Sequence, residues 1–321
     1  MRDQLPSGQQ MILLVGEHVL ASGGKRLRPA LVMLSSELCG YDGPRRVQVA
    51  AALELVHTAT LLHDDVVDLA DTRRGQAAAR TIWGNRRAVL VGDYFYSRSS
   101  AMIVEDGDIE VLQIFSDAIA RMAEGELMQL EKSFDPDVTE AHYYGVVERK
   151  SAALIASAAE IGSVLGGVTR AERRRLAEYG RELGIAFQLR DDSLDYTAGA
   201  DVLGKAPYTD LREGKVTLPL LLTLKRCNTT EREQIARVLK QASQRALELE
   251  AEGLRAPDAV LSELEVGPVL ELIRRHRGIE DTDRRALEHV ARASAAIAPF
   301  PDGPARDALL SAAAYAAERE S

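Results

Sequence analysis

Cysteine is nearly absent from this chain: Cys39 and Cys227 stand alone among 321 residues, far apart and in no CxxC arrangement. That excludes a disulfide framework, gives a thiolate zinc site no support, and fits a reducing cytoplasm. Long apolar runs are missing too. A charged residue interrupts each of them before the roughly 20 residues needed to span a bilayer. The short run from Met11 to Val15 lacks the basic start and small-residue cleavage site of a signal peptide. The chain is therefore expected to be soluble and cytoplasmic. Nor is there a surplus of positive charge: 40 Lys and Arg face 49 Asp and Glu, a formal net charge of −9. Nucleic-acid binders usually carry a net-basic stripe that neutralises phosphates, so no such partner is expected, and a polyanionic ligand must meet local cations.

Proline is scarce where it matters for architecture. None occurs between Pro44 and Pro136, nor between Pro136 and Pro207, and these stretches are rich in Ala, Leu, Glu, Arg and Met. Proline lacks the amide donor and clashes with the preceding turn, so its absence there predicts long helices. Apolar spacing agrees, with Val49, Ala52, Leu53, Val56, Thr60 and Leu61 recurring at three and four. Period-two alternation is not sustained anywhere, so strands would be a surprise. Turn-forming compositions fall at 40–44, 105–108, 134–137, 166–167 and 199–207, while Asp137 to Glu140 and the capping box Thr169 to Glu172 read as helix starts. Roughly ten helices are expected. No shift in composition marks a boundary, so residues 1–321 read as one all-α domain.

What the sequence does hold is two acidic clusters. LLHDDVVD runs from Leu61 to Asp68 and FQLRDDSLD from Phe187 to Asp195, each with a DDxxD core. On a helix, Asp64 shares a face with Asp68, and Asp191 with Asp195. Like charges so placed repel, an arrangement that is costly unless a cation sits between them. Carboxylate oxygens suit a hard ion, and magnesium shares its shell with water and substrate phosphates. Taken alone, either cluster reads equally as a solvated acidic face. Apolar neighbours, Val66 and Val67 in the first and Phe187, Leu189 and Leu194 in the second, point instead to a partly buried cleft lip. Glu54 and His57 match the Glu-x-x-His spacing of di-iron helical proteins, but that class needs two such motifs and a single one occurs.

Three basic sites complement the acids. SGGKRLRP, from Ser22 to Pro29, sets Lys25, Arg26 and Arg28 behind two glycines that permit close backbone approach. Arg73 and Arg74 follow the first cluster, and Lys205 and Lys215, each after a glycine, follow the second. A lone basic pair is more often solvated surface; the order of basic loop, Asp cluster, Arg pair, Asp cluster and Gly-Lys pairs describes a cavity with metal on its walls and phosphate clamps between. His57 lies seven residues before Asp64, two turns back on nearly the same face. Its alternative reading is a satisfied core histidine.

The segments GGKRLRP, HTATLLHDDVVD, RRG, GNRRAVLVGDYFYSR, EGELMQL, Lys150-Ser151, FQLRDDSLDY, LGKAPYTDLREGK and TLPLL together resemble the trans-isoprenyl diphosphate synthases of the polyprenyl type, and among these the octaprenyl synthases, nearly end to end. The resemblance implies an isoprenoid-synthase-type helical bundle, a homodimer, whose acidic clusters face each other across a central cavity. It implies magnesium, three ions with bound diphosphate, on Asp64, Asp68 and Asp191, supported by Asp65, Asp192 and Asp195. Lys25, Arg28, His57 and Arg74 match residues that hold isopentenyl diphosphate. Arg73, Lys150, Ser151, Gln188, Lys205 and Lys215 match those around the allylic diphosphate. The implied reaction is head-to-tail condensation of the two substrates: ionisation of the allylic carbon–oxygen bond, attack by the isopentenyl double bond, and proton loss to the released diphosphate. Transient membrane contact during product release is also implied.

Ala59 and Thr60 match the positions that line the tail channel in this family. Small residues there leave room for a long product, heptaprenyl to decaprenyl with octaprenyl favoured; Met122 and Met128 are candidate floor residues. A helical wheel puts Thr60 near the Asp64 face, whereas Ala59's role rests on the resemblance. Arg190 and Ser193 depart from the family's usual apolar residues, and the stretch before the basic loop is short. Three other readings compete: a shorter-chain farnesyl or geranylgeranyl synthase, a terpene cyclase, and a non-catalytic synthase subunit. The second DDxxD and the basic loop argue against the cyclase, and six retained aspartates argue against the inactive subunit.

Overall fold

The computed structural model describes residues 9–197, 208–251 and 260–319. Helices α1 (Gln10–Ala21), α2 (Leu27–Leu38) and α3 (Arg45–Val67) come first. A hairpin of β1 (Thr72–Arg73) and β2 (Gln76–Ala77) precedes α4 (Ala79–Trp83), α5 (Asn85–Asp106), α6 (Ile109–Glu131) and α7 (Glu140–Val146). A π-helical turn (Val147–Ala152) leads into α8 (Ala153–Leu165) and α9 (Arg170–Thr197). The rest are α10 (Thr209–Arg212), α11 (Leu218–Arg226), α12 (Thr229–Ala251), α13 (Glu263–Arg275), α14 (Gly278–Ile297) and α15 (Pro304–Glu318). The chain is all-α, with more helices than the sequence suggests because short ones such as α4, α7 and α10 carry too few residues to show a period.

The hairpin is the one strand pair among the described residues, and it corrects the expectation of no strands. Thr72 pairs with Ala77 and Arg73 with Gln76. Arg74 (φ 53°) and Gly75 (φ 74°) both adopt the left-handed conformation of a type I′ turn. Two-residue strands are too short for alternation to be seen. The helix starts hold better. Thr169 and Glu172 form the expected reciprocal cap, whereas α7 is capped by Thr139, which accepts from the His142 amide, rather than by Asp137. Pro219 in the first turn of α11 fills a position where no amide partner is needed.

Contacts group the described residues into two units. The first takes residues up to Ile119, Leu154–Gly180 and Ala295–Ser311. Here α3 packs chiefly on α5, burying Val49, Leu53 and Val56 together with Val91, Phe95 and Met102. Arg45 ties the start of α3 to the end of α5 through both oxygens of Asp106, at 2.8 and 2.7 Å. The second takes Ala120–Ala153, Arg181–Ser294 and the described residues after Ala312. Its core gathers Tyr143, Val147, Ile185, Leu189, the leucines of α11, Ile235, Leu239, Val269 and Ile273. Within it the Glu182 carboxylate, buried, receives His289 Nδ1 at 2.6 Å and Arg292 Nε at 2.8 Å. Burial works to raise its pKa, but these bonds and the charge of Arg181 hold it down to about 2. No described helix is long and apolar enough to cross a membrane.

Candidate active site

In the first unit the basic loop and the Arg pair come together. Arg74, at the hairpin turn, donates from Nη1 to the Gly23 carbonyl. A Cβ on Gly24 (φ 146°) would meet that guanidinium at 2.7 Å, so this residue is glycine for both conformation and room. Arg26 bonds Glu54 at 2.8 Å and the Leu20 carbonyl at 3.2 Å. Arg28 is half-buried, with its Nε shut off from solvent and unpartnered. Burial pulls its pKa down to about 10, against the pull of Glu54 and with the push of Arg74, which leaves it charged at neutral pH. His57 sits amid this charge: burial first, then Arg28, Arg74, Arg73 and Arg26, holds its pKa well below 6.5, so it is neutral. Arginines outnumber the buried Glu54, and the nest is short of negative charge. That deficit suits a phosphate, which a neutral imidazole can reach as a donor. The sequence placed Arg26 in the basic loop and Glu54 in a Glu-x-x-His spacing but did not pair them; the structure joins the two.

The first acidic cluster closes α3. Asp65 is buried and accepts Arg73 Nε at 2.5 Å; burial nonetheless raises its pKa, opposed by Arg73. Asp64 and Asp68 are half-buried, one turn apart, with the Asp68 amide on the Asp64 carbonyl at 2.7 Å. Leu69 (φ 48°) then breaks the helix, and Arg80 fixes the exit through the Leu69 carbonyl and Asp71 at 2.7 and 2.8 Å. Ala59 is buried in α3, and Thr60 is half-buried, its hydroxyl on the His57 carbonyl at 2.8 Å. Lys25 is exposed in the loop.

The second unit holds a cavity of about 220 Å³, lined by Gln129, Lys150, Ser151, Gln188, Asp192, Asp210 and Lys215 among others. It joins residues from α6, the π-turn, α9 and α10. The π-turn carries Lys150 and Ser151, a wide-turn geometry common at functional sites. Gly125 of α6 allows it: a Cβ there would lie 2.6 Å from the Lys150 amide nitrogen. Lys150 Nζ reaches Glu126 at 2.5 Å, and Lys215 Nζ reaches Glu213 at 2.5 Å. A chain of bonds then runs from the Ser151 hydroxyl to Gln188 Oε1 (2.6 Å) and from Gln188 Nε2 to Asp192 Oδ1 (2.8 Å), with the Tyr143 hydroxyl on Asp192 Oδ2 (2.5 Å). Burial, then the Asp210 charge, pushes the Asp192 pKa well up, while Tyr143 and Gln188 oppose the shift. Tyr143 and Asp210 are site residues that sequence reading missed; Asp210 lies inside a quoted motif, whereas Tyr143 gave no signal.

Asp195 is buried, its Oδ2 accepting the Asp210 amide at 3.0 Å and its carbonyl the Tyr208 amide at 3.1 Å, so it anchors the start of α10. Asp191 keeps a side-chain exposure of 44% and receives Arg319 Nη2 at 2.5 Å. Of the six aspartates, then, Asp64, Asp68 and Asp191 remain accessible while Asp65, Asp192 and Asp195 are buried among donors of the chain. In each cluster the accessible carboxylates offer oxygen alone, the donor chemistry of a hard divalent ion such as magnesium. Arg190, the departure noted above, bonds Asp283 at 2.9 Å and the Arg319 carbonyl at 3.0 Å. Ser193 is buried with its hydroxyl unpartnered; nothing in its surroundings explains it. Met122 and Met128 are half-buried, and Lys205 lies outside the described residues. Elsewhere, donor atoms of Cys227, Glu231 and His276 lie within 4.8 Å of one another. There Glu231 accepts the Asn228 amide, His276 and Arg275, the bonding of a helix cap.

Comparison with known proteins supplies the context. Residues 9–252 match the polyprenyl synthetase family. The chain is 41% identical over 318 residues to octaprenyl diphosphate synthase of Escherichia coli, covering 99% of this chain and 93% of that one. Among solved structures it resembles a polyprenyl synthase of Caulobacter crescentus complexed with calcium and isoprenyl diphosphate (TM-score 0.90, 38% identity, 100% and 92% of the two chains). It also resembles a decaprenyl diphosphate synthase of Rhodobacter capsulatus (TM-score 0.89, 36% identity, 100% and 94%).

Proposed function

This chain belongs to the polyprenyl synthetase family, and from that premise we propose how its own residues divide the work of chain elongation. It is a trans-prenyltransferase that makes long polyprenyl diphosphates. The observation that carries the residue assignment is the cationic nest of the first unit, where half-buried Arg28 and exposed Arg74 stand beside a neutral His57. Such surplus charge persists in a folded protein when an anion completes it. Lys25, Arg28, His57 and Arg74 hold the diphosphate of isopentenyl diphosphate, the imidazole as a donor.

Asp64, Asp68 and Asp191 hold magnesium, three ions with the allylic diphosphate. When bound, the ions neutralise charge on the departing diphosphate. Asp65, Asp192 and Asp195 keep the ligating aspartates in position through Arg73, the Tyr143–Gln188 pair and the Asp210 amide. Lys150, Lys215 and Lys205 bind allylic diphosphate oxygens, exchanging Glu126 and Glu213 for the substrate in the first two cases. The Ser151 hydroxyl donates its hydrogen bond to Gln188 Oε1, which leaves the hydroxyl lone pairs to face the allylic cation. Water is kept away by the apolar lining of Val146, Val147 and Val216. The proton lost after condensation passes to the released diphosphate.

Leu90 and Val104 on α5, with Ile109 on α6, are large apolar residues left exposed, which supports a homodimer. The assembled enzyme works in the cytoplasm, and membrane contact accompanies release of the apolar product. The test is elongation by the purified protein given farnesyl diphosphate, isopentenyl diphosphate and magnesium, with products separated by chain length. Long linear products are expected; a cyclised hydrocarbon, or no turnover until a second protein is added, would contradict the reading. Ala59→Phe is expected to shift products to shorter chains, and an unchanged distribution would remove Ala59 from the channel.

A further inference from the structure

Arg319 has no part in the chemistry above, yet it is among the most firmly held cations of the second unit. Its side chain is 4% exposed. Nη2 lies 2.5 Å from Asp191 Oδ1 and donates to the Phe187 carbonyl at 2.9 Å, and the guanidinium carbon sits 3.7 Å over the Phe187 ring. Its backbone is pinned as well. The amide donates to Tyr315 at 3.2 Å, and the carbonyl accepts Arg190 Nε, whose Nη1 is anchored on Asp283. Phe187, Arg190 and Asp191 belong to one turn of α9, so a residue more than a hundred positions away is fastened to that turn at three points.

The partner it has taken decides its meaning. Asp192 is buried and accepts from the neutral donors Tyr143 and Gln188, whereas Asp191, the accessible carboxylate, is met by a full positive charge. A guanidinium and a divalent ion at one carboxylate oxygen repel each other, so strong binding of both there is excluded. We propose that Arg319 is the internal counter-cation of Asp191: it occupies the carboxylate while no divalent ion is bound, gives way when one binds, and thereby sets the metal affinity of the second cluster. Arg190 is the strut that keeps Arg319 in reach, which accounts for a charged residue at that place. The inference rests on the reading of Asp191 as a metal ligand. Arg319 is a positioning residue, for it touches neither substrate in this scheme.

The sign of one measurement separates this from a merely structural role. Loosening a structural contact would disorder Asp191 and weaken metal binding, whereas removing a competitor strengthens it. The assay is titration with Mn²⁺ alone, following the free ion by electron paramagnetic resonance, on wild type, Arg319→Met, Arg319→Lys, Arg190→Met and Asp191→Asn at one ionic strength. Arg319→Met is expected to bind Mn²⁺ about fivefold more tightly, the scale of one partly exposed ion pair. Arg319→Lys is expected to stay within about twofold of wild type because the charge is kept. Arg190→Met should move in the same direction as Arg319→Met, and carries the test if the latter fails to fold. Unchanged or weaker binding in the methionine variants, or a lysine variant that binds like Arg319→Met, would overturn the proposal. Asp191→Asn distinguishes the two layers: if it binds Mn²⁺ like wild type, the ligand reading itself fails, and if it loses a site while Arg319→Met is unaltered, only the counter-cation fails.

Discussion

The two acidic clusters share a motif but are built in opposite electrostatic settings. Beside the first, burial and then Arg28, Arg74, Arg73 and Arg26 keep His57 neutral. Around the second, Asp192 and Asp210 lie close enough to push the Asp192 pKa well up, after burial, and the relief comes from Tyr143, Gln188 and, at Asp191, Arg319. The same five-residue pattern thus has different surroundings: beside the first lies a nest suited to an incoming anion, whereas the second lies among further carboxylates that call for a cation. A motif names the ligand atoms; the neighbours decide what those atoms need.

The sharpest way to break this contrast is to remove charge from the nest. Arg28→Met is expected to raise the KM for isopentenyl diphosphate about a hundredfold, the scale of a lost charged hydrogen bond in a buried place, with the KM for the allylic substrate within about threefold of wild type. Steady-state kinetics with each substrate varied in turn gives the answer. Gly24→Ala attacks the same nest through the backbone: a residue with φ 146° and a guanidinium 2.7 Å from its Cβ displaces Arg74, and an increase of about tenfold in the same KM is expected. On the other side, Tyr143→Phe removes a donor from Asp192 without removing charge. It should lower kcat about fivefold and leave both KM values near wild type.

The smallest effect lies outside both sites. Glu182 is held at about 2 against an ordinary 4.5, so its folded pKa is depressed. Its contribution to stability is complete above pH 4.5 and drains away as pH falls toward 2. Glu182→Gln should therefore be less stable than wild type at neutral pH, with the gap closing on acidification, as measured by urea unfolding across that range. A gap that stays constant would mean that His289 and Arg292 do not hold the carboxylate.

Much of this was legible beforehand, for identifiable reasons. Helices announce themselves through repeated spacing and missing proline, and the acidic and basic motifs are contiguous in sequence. The hairpin at Thr72 to Ala77 was not legible because two residues carry no period. The division of each DDxxD into accessible and buried members was not legible in the spacing, which gives the same face to Asp191 and Asp195 while burial separates them; the resemblance alone had set Asp64, Asp68 and Asp191 apart from the other three. Tyr143 and Arg319, and the pairing of Glu54 with Arg26, escaped notice because each acts through a partner distant in sequence. An unusual residue was still a useful flag: Arg190 looked out of place until its bonds to Asp283 and Arg319 were seen.

The proposed function requires aspartates of both clusters in one reaction, and a double-mutant cycle tests that directly. Elongation rates are measured for wild type, Asp64→Asn, Asp191→Asn and the double variant. Each single change is expected to cost about a thousandfold, and the double variant to fall no more than about tenfold below the weaker single, because residues acting as a unit are strongly non-additive. Losses that multiply, leaving the double variant lower by the full product of the two, would mean that the clusters act independently.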